Sequence, residues 1–389
     1  MMETNILKIY IYRILLGMLF SVPTIVLFWQ SHGMSLTDVM VLQSLFALAM
    51  VIFELPSGYF ADIAGRRMTL ILGAAGCMIA ICVYSIGTCF THFLVAEICL
   101  AFGLAMISGA DAAMIYDTLQ VFGKEDDFQK VYGRLFFLNL FAFGVASILG
   151  GFIGAKSFRW AFYATVPFFA AAIGVAMSLE EPPRKKLVTE TGYLNELIKI
   201  LQYCFFENRR LCLLLVYSGL ILGLNNAALW FYQPYFEVSK LPIAWFGFAF
   251  ASYQVFTAVC SMYAHGVEKK IGEKYSLIIL AFFVATGYFL MGCFVFRLSF
   301  MFAFFHQFAR GFSRIVVTDY VNRLTDSDRR ATVLSTQNLI MRLFYALLIP
   351  MAGKVADFTS IVDALNILGV ATLFIGGTML AVMRKAKVL

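Results

Sequence analysis

Residues 58–67 read Gly58-Tyr59-Phe60-Ala61-Asp62-Ile63-Ala64-Gly65-Arg66-Arg67, with a long apolar stretch on either side. Between soluble helices such a turn would be ordinary. Between helices that lie in lipid, its charges need protein partners, because water is not there to solvate them. The composition makes lipid the right setting. The chain of 389 residues is 61% hydrophobic and 14% charged, with a mean hydropathy of +0.83. A soluble domain is about half apolar and roughly a quarter charged.

A helix needs roughly 20 apolar residues to cross a bilayer. Twelve such stretches can be read, at about 9–30, 37–61, 68–89, 93–120, 132–155, 158–179, 210–233, 243–265, 275–296, 298–321, 331–352 and 362–383. Continuous apolar runs, without short alternating segments, exclude a membrane barrel. With both termini on the cytoplasmic side, inside segments carry 22 of the 30 Lys and Arg residues. Outside segments then hold Lys156, Arg159, Lys240, Arg297 and Lys354, while Arg310, Arg314 and Arg342 fall inside spans. This asymmetry predicts a multi-pass protein with N-in and C-in orientation. The net charge of +7 is therefore a topology signal and no nucleic-acid footprint. The eight cysteines show neither a disulfide framework nor metal-ligand spacing, so no metal or cofactor is expected.

Composition changes at Glu180, where Glu-Glu-Pro-Pro-Arg-Lys-Lys begins. Pro182 and Pro183 stop the preceding helix. Leu194, Leu197, Ile198 and Leu201 then share one face of a segment suited to lying on the membrane surface. The expected organisation is a six-helix bundle over 1–180, a cytoplasmic linker with an amphipathic helix over 181–209, and a second six-helix bundle over 210–389. The halves also look like copies. Gly109 to Asp117 repeats as Gly311 to Asp319 at an offset of 202, and Ala61-Asp62 with Arg66-Arg67 finds an echo in Ala264-His265 with Lys269-Lys270 at 203.

Charged groups inside spans mark the candidate chemistry. Gly58 and Gly65 permit close approach and a tight reversal. Asp62 can accept from a helix N-terminus or an arginine, and Arg66 can bridge back to a carboxylate, for which Asp117 is the natural partner. His306, Arg310 and Arg314 stand at i, i+4 and i+8, which places them on one helix face. Ser335, Asn338 and Arg342 form a similar stripe, and Asn225, Asn226 and Gln254 add amides. A charge at membrane depth costs about 2.5–3.5 kcal/mol on insertion scales, so these groups should face a cavity or a partner. Glu54 and Asp111 bring the opposite sign, and desolvation favours the neutral form of a carboxyl group, as a proton carrier requires. Two readings stand side by side. Either Asp111 or Glu54 takes a coupling proton while Arg310 and Arg342 hold a substrate anion, or the charges pair with one another. His306 is the residue type that titrates near neutral pH. Trp230, Tyr232 and Tyr235 read as an interfacial belt.

The 58–67 turn resembles the G-x-x-x-D-x-x-G-R-R signature after the second span of major facilitator superfamily transporters. That resemblance implies an all-α, twelve-span fold of two six-helix bundles. It implies that Gly58, Asp62, Gly65, Arg66, Arg67 and Asp117 form a latch that closes the cytoplasmic side. Exporters of this superfamily often carry G-x-x-x-G-P-x-x-G-G in the fifth span. Here Ala146-Ser147-Ile148-Leu149-Gly150-Gly151 keeps the paired glycines and lacks the Gly-Pro. Ser108-Gly109-Ala110-Asp111 through Tyr116-Asp117, together with Arg330-Ala331-Thr332-Val333-Leu334-Ser335, is similar to a broad group of bacterial drug or metabolite exporters.

Other classes fit less well. No G-x-x-x-x-G-K-[ST] loop for ATP is present, nor H-E-x-x-H. Gly311-Phe312-Ser313-Arg314 lacks the closing glycine of a hydrolase elbow. The expectation is thus a monomeric secondary transporter of the bacterial inner membrane, not an enzyme. It would exchange protons for an amphiphilic, anionic small molecule. Import of an anionic metabolite and a non-transporting receptor are the alternatives.

Overall fold

The computed structural model describes residues 2–183, 202–326 and 329–388. The expected amphipathic helix around Leu194–Leu201 lies outside the described residues. Thirteen α-helices are described: α1 Asn5–Gly17, α2 Ile25–Ser31, α3 Leu36–Ala64, α4 Arg66–Ile86, α5 Phe90–Ile107, α6 Ala110–Val121, α7 Phe128–Lys156, α8 Phe158–Met177, α9 Arg209–Val238, α10 Ile243–Cys293, α11 Phe304–Arg323, α12 Arg330–Phe358 and α13 Ile361–Lys385.

Ten helical stretches among the described residues are long and apolar enough to cross a membrane. The other two of the twelve expected spans have clear physical fates. One is hidden in α10, whose 51 residues are two helices joined at Gly272, where the backbone turns to φ 78° and ψ 171°. The other is α11, which His306, Arg310, Arg314, Asp319 and Arg323 make too polar for a hydropathy criterion. Two spans are broken. The first passes from α1 to α2 through a 3-10 turn containing Pro23. The fourth breaks between α5 and α6 at Gly109, with φ +81°.

The chain divides into two compact units. The first comprises Met1–Met34, Leu45–Val188 and Pro242–Ala251; the second comprises Ser35–Ser44, Thr189–Leu241 and Ser252–Leu389. In the first unit, glycine lets backbones approach. A Cβ on Gly103 would lie 2.6 Å from both the Cys77 Sγ and the Gly73 carbonyl oxygen, so α4 and α5 touch backbone to backbone. Gly151 of α7 meets Gly247 of α10 in the same way, where a Cβ would stand 2.8 Å from the Gly247 nitrogen. Phe28, Trp29, Tyr84, Phe93 and Phe162 fill the adjoining core, and the Tyr84 hydroxyl donates to Glu97 Oε1.

In the second unit, α9 packs on α12 through Gly219 against Ile340, and α13 meets α10 through Gly376 against Ala281. The first turn of α3 is capped from afar. Asp357 of α12 accepts from the Leu36 and Thr37 amides at 3.0 and 2.7 Å, supplying the acceptors that a helix start lacks.

The two units share one local device. Gly65 between α3 and α4 has φ +103° and ψ 154°; Gly272 inside α10 has φ +78° and ψ 171°. The sequence echo set Arg66-Arg67 against Lys269-Lys270, whereas the backbone sets Gly65 against Gly272. Gly109 and Gly311 are not equivalent: the first breaks a helix, the second lies inside one against the Thr257 carbonyl.

Gly103→Val should overpack α4 against α5 at about 1–3 kcal/mol or more. The expected outcome is a lower thermal midpoint of the purified protein. Gly174→Val, at a position where a Cβ would meet nothing within 4 Å, should leave the midpoint unchanged. Equal midpoints for the two variants would reject this account of the α4–α5 contact.

Candidate functional site

The turn that opened the sequence reading is a closed set of ionic and backbone contacts in the first unit. The α4 helix begins at Arg66, and its first free amides point at Glu181. Arg66 N donates to Glu181 Oε1 at 2.8 Å and Arg67 N to Oε2 at 2.7 Å. A carboxylate suits the positive end of a helix. The Arg66 side chain is left to bridge Asp62, with Nη1 to Oδ1 at 2.7 Å, and Asp117, with Nε to Oδ2 at 3.6 Å. Arg67 Nη2 donates to the Met177 carbonyl. Gly65 cannot be replaced cheaply, because its φ of +103° strains any other residue, and a Cβ there would also press on the clamped Glu181 Oε1 at 2.8 Å.

Asp62, Gly65, Arg66, Arg67 and Asp117 therefore come together as expected. Gly58 does not belong with them: it is exposed inside α3, and a Cβ there would meet nothing within 4 Å. Glu181 is the residue that sequence reasoning missed, having been placed in the linker. The available signal was an acid at the end of the sixth span, just before Pro182-Pro183 and level with a helix start.

Deeper in the first unit, Asp111 is buried in the first turn of α6. Its Oδ1 accepts from the Ala112 amide at 2.7 Å, and its Oδ2 lies 3.5 Å from Arg13 Nε of α1. Arg13 is one of the 22 inside Lys and Arg residues of the orientation argument. It lies within α1, where its carbonyl accepts from Asn139 Nδ2 at 2.8 Å. Asp111 thus has an arginine partner in its own unit. Glu54, half-buried on α3, is outside that pair.

The second unit holds the cationic groups. On α11, Arg310 and Arg314 are exposed, while His306 is fully buried. The three lie on one side of α11, but each four-residue step turns the side chain by roughly 40°, so His306 is packed in the interior while Arg310 and Arg314 are open to solvent. His306 packs against the Tyr288 and Tyr232 rings and fills the space beside Gly287. Neither of its ring nitrogens makes a well-formed hydrogen bond; the backbone of Val284 is the polar group beside it. Asn225 is buried, Asn226 Nδ2 reaches Met341 Sδ at 3.4 Å, Gln254 and Arg342 are half-buried, and Asn338 is exposed.

Tyr232 and Tyr235 are buried and not an interfacial belt. Gln307 Nε2 donates to the Tyr232 hydroxyl, and Thr257 Oγ1 donates to Gln307 Oε1, both at 3.1 Å. Arg310 lies within electrostatic reach of that Tyr232 hydroxyl. Its guanidinium is open to solvent yet densely surrounded by protein atoms, and it makes no hydrogen bond or ion pair among the described residues. Thr257, Gln307 and Tyr232 carry no charge, so hydropathy alone gave no reason to group them.

A family model described as Major Facilitator Superfamily matches residues 9–350. Solved structures with a similar fold include a variant of the nucleoside transporter NupG, at 14% identity and TM-score 0.85 over 97% of this chain and 99% of that one. A D-xylose-proton symporter matches at 16% identity and TM-score 0.71, over 95% and 97% of the two chains. A bacterial homolog of the human lysosomal transporter Spinster matches at 14% identity and TM-score 0.73, over 98% and 95%. At these identities the likeness speaks to fold alone. No curated protein sequence matches the chain.

The Arg13–Asp111 pair can be tested by a double-mutant cycle on thermal stability. Removing one partner leaves a poorly solvated charge, so Asp111→Asn and Arg13→Gln should each destabilise, by about 3 kcal/mol or less given that Arg13 is partly exposed. The combined variant should recover part of that loss. Strict additivity of the two effects would mean that the pair is not coupled.

Proposed function

The chain belongs to the major facilitator superfamily, and from that premise we propose that it is a proton-coupled secondary transporter exporting an amphiphilic small molecule with an anionic group. A transporter, and not an enzyme, is what the family makes it. Arg310 is the observation that carries the substrate class. A guanidinium in mid-span without an ionic partner among the described residues is expensive in a membrane, and an anion bound beside it would offset that cost. The Tyr232–Gln307–Thr257 chain supplies neutral hydrogen-bonding groups one turn away. Arg314, Arg342, Asn338, Asn225, Asn226 and Gln254 are assigned to the same solute pathway.

For coupling, Asp111 is the proton carrier in this reading, with Glu54 as a second carboxyl group and His306 held in reserve by its apolar packing. Protonation of Asp111 removes the attraction that holds Arg13, so one proton changes the charge balance of α1 against α6. The bundles 1–180 and 210–389 then alternate in access. Asp62, Gly65, Arg66, Arg67 and Asp117, now joined by Glu181, act as the cytoplasmic latch. In this reading the chain spans the bacterial inner membrane with both termini on the cytoplasmic side, and the monomer is the working unit. Export rests on the similarity to bacterial exporters; the Gly150-Gly151 pair, without the Gly-Pro of the exporter signature, is accounted for by close helix packing and adds nothing to it. A second reading, proton-driven import of an anionic metabolite, draws on the D-xylose-proton symporter among the similar folds.

Proton flux in sealed everted vesicles tests this directly. Anionic, zwitterionic and cationic amphiphiles are added one at a time, with Asp111→Asn as control. An anionic compound should collapse an imposed pH gradient only with the intact protein, and Arg310→Gln should abolish the response. A response confined to cationic compounds would overturn the substrate class. Labelled-anion uptake by whole cells, without any vesicle response, would favour import. Separately, Asp62→Asn loses a charge-assisted bond worth about 1.5–3 kcal/mol and should slow turnover roughly tenfold or more at unchanged surface expression. Normal transport in that variant would remove the latch assignment.

A further inference from the structure

We propose that the second unit carries a seat for an anionic phospholipid, in the groove between the second arm of α10 (273–293) and the end of α13. The groove has a volume of about 630 Å³ and is lined by Lys274, Ile278, Leu380, Ala381, Arg384 and Lys385. It shares no residue with the latch or with the mid-span charges. Three of its six lining residues are cations and none is acidic. None of the three makes an ion pair among the described residues. The neighbouring acid, Glu273, is engaged by Arg210 at 2.7 Å.

The arrangement of charge and apolar surface identifies the occupant. The arm of α10 starts where α13 ends, so Lys274, Arg384 and Lys385 gather at one end of both helices. Towards the middle of the spans the two helices touch, with a Cβ on Gly376 falling 2.8 Å from Ala281 Cβ. Between that contact and the cations the walls are apolar, and they continue outward along helical repeats. Lys274, Ile278 and Phe282 follow at i, i+4 and i+8 on α10, with Ile278 38% and Phe282 55% exposed. On α13, Lys385, Ala381 and Gly377 repeat at the same spacing, next to Phe374, which is 73% exposed. A Cβ on Gly377 would meet nothing within 4 Å, so the channel stays open there.

A soluble anion would use the cations and leave the apolar walls idle. A neutral lipid would use the walls and leave three like charges crowded together. A phospholipid with a net negative headgroup uses both: phosphate between the cations, acyl chain along the Ile278–Phe282 and Ala381–Phe374 surface. Basic residues at a span end, close to the headgroup level, each contribute about 1 kcal/mol of attraction to anionic lipid, about a fivefold change in affinity.

The test is native mass spectrometry of the whole protein released from nanodiscs of mixed phosphatidylcholine and phosphatidylglycerol with identical chains. The wild-type protein should retain phosphatidylglycerol preferentially. The K274Q/R384Q/K385Q variant should bind it roughly a hundredfold more weakly, from three fivefold losses. A381W keeps every charge but fills the groove, and it should lose the lipid as well. K124Q/K130Q, which removes positive charge elsewhere, should behave as wild type. Equal retention of both lipids by the wild-type protein would overturn the proposal. So would undiminished phosphatidylglycerol in either groove variant, since retention by A381W would mean a diffuse layer of lipid and no seat. Should one groove variant fail to fold, the other still decides.

Discussion

Both oxygens of Glu181 are held by consecutive backbone amides, those of Arg66 and Arg67, and the turn of the first unit is arranged around that clamp. Without it, the first N–H groups of α4 would lack an acceptor, and a nearby carboxylate such as Asp62 would be drawn to them and away from Arg66. With it, the helix end is satisfied by an acid from a different span. The Arg66 guanidinium is then available to tie Asp62 and Asp117 together. Asp357 performs the same service for the first turn of α3 in the second unit. In each case the cap comes from more than a hundred residues away in the chain, so a local helix signal is completed by a tertiary contact.

That distance explains what could be read in the sequence and what could not. Hydropathy and the placement of Lys and Arg delimit spans because lipid imposes a length and a chemistry on every crossing. The span at 298–321 reads as an apolar run even though its helix carries His306, Arg310, Arg314, Asp319 and Arg323. Asp62, Arg66 and Asp117 were legible as a set because acids and arginines in an apolar chain must find each other. Glu181 was not, since an acid beside two prolines and three basic residues reads as part of a polar linker. Arg13 was hidden for the opposite reason: one arginine near the start of a span looks like an orientation charge, and only the tertiary structure sets it 3.5 Å from Asp111. The burial of His306 was not legible, because a helix stripe spread over roughly 80° can begin in the packed interior and end in solvent.

The units differ in how they handle charge. In the first, described carboxylates and arginines meet: Arg13 with Asp111, Arg66 with Asp62 and Asp117. In the second, Arg323 closes on Asp319 and Arg210 on Glu273 near helix ends, while Arg310 is left open in mid-span beside a neutral hydrogen-bonded chain. The proposed solute site beside Arg310 and the proposed lipid seat beside Lys274 both fall in the second unit. This division gives the proposed transport cycle a natural split of labour, with proton chemistry on one side and anion chemistry on the other.

Gly65 and Gly272 turn the chain through the same left-handed region, yet their surroundings differ: an arginine pair and a clamped carboxylate at one, Glu273 and Lys274 at the other. A side chain at either position would be strained by the backbone alone. Neighbouring positions have no such restriction, and their charges can change sign one mutation at a time. A duplicated segment under these rules drifts freely in chemistry while its path through space stays fixed. Two turns can thus differ in every charge around them and still be fixed by the same kind of glycine backbone.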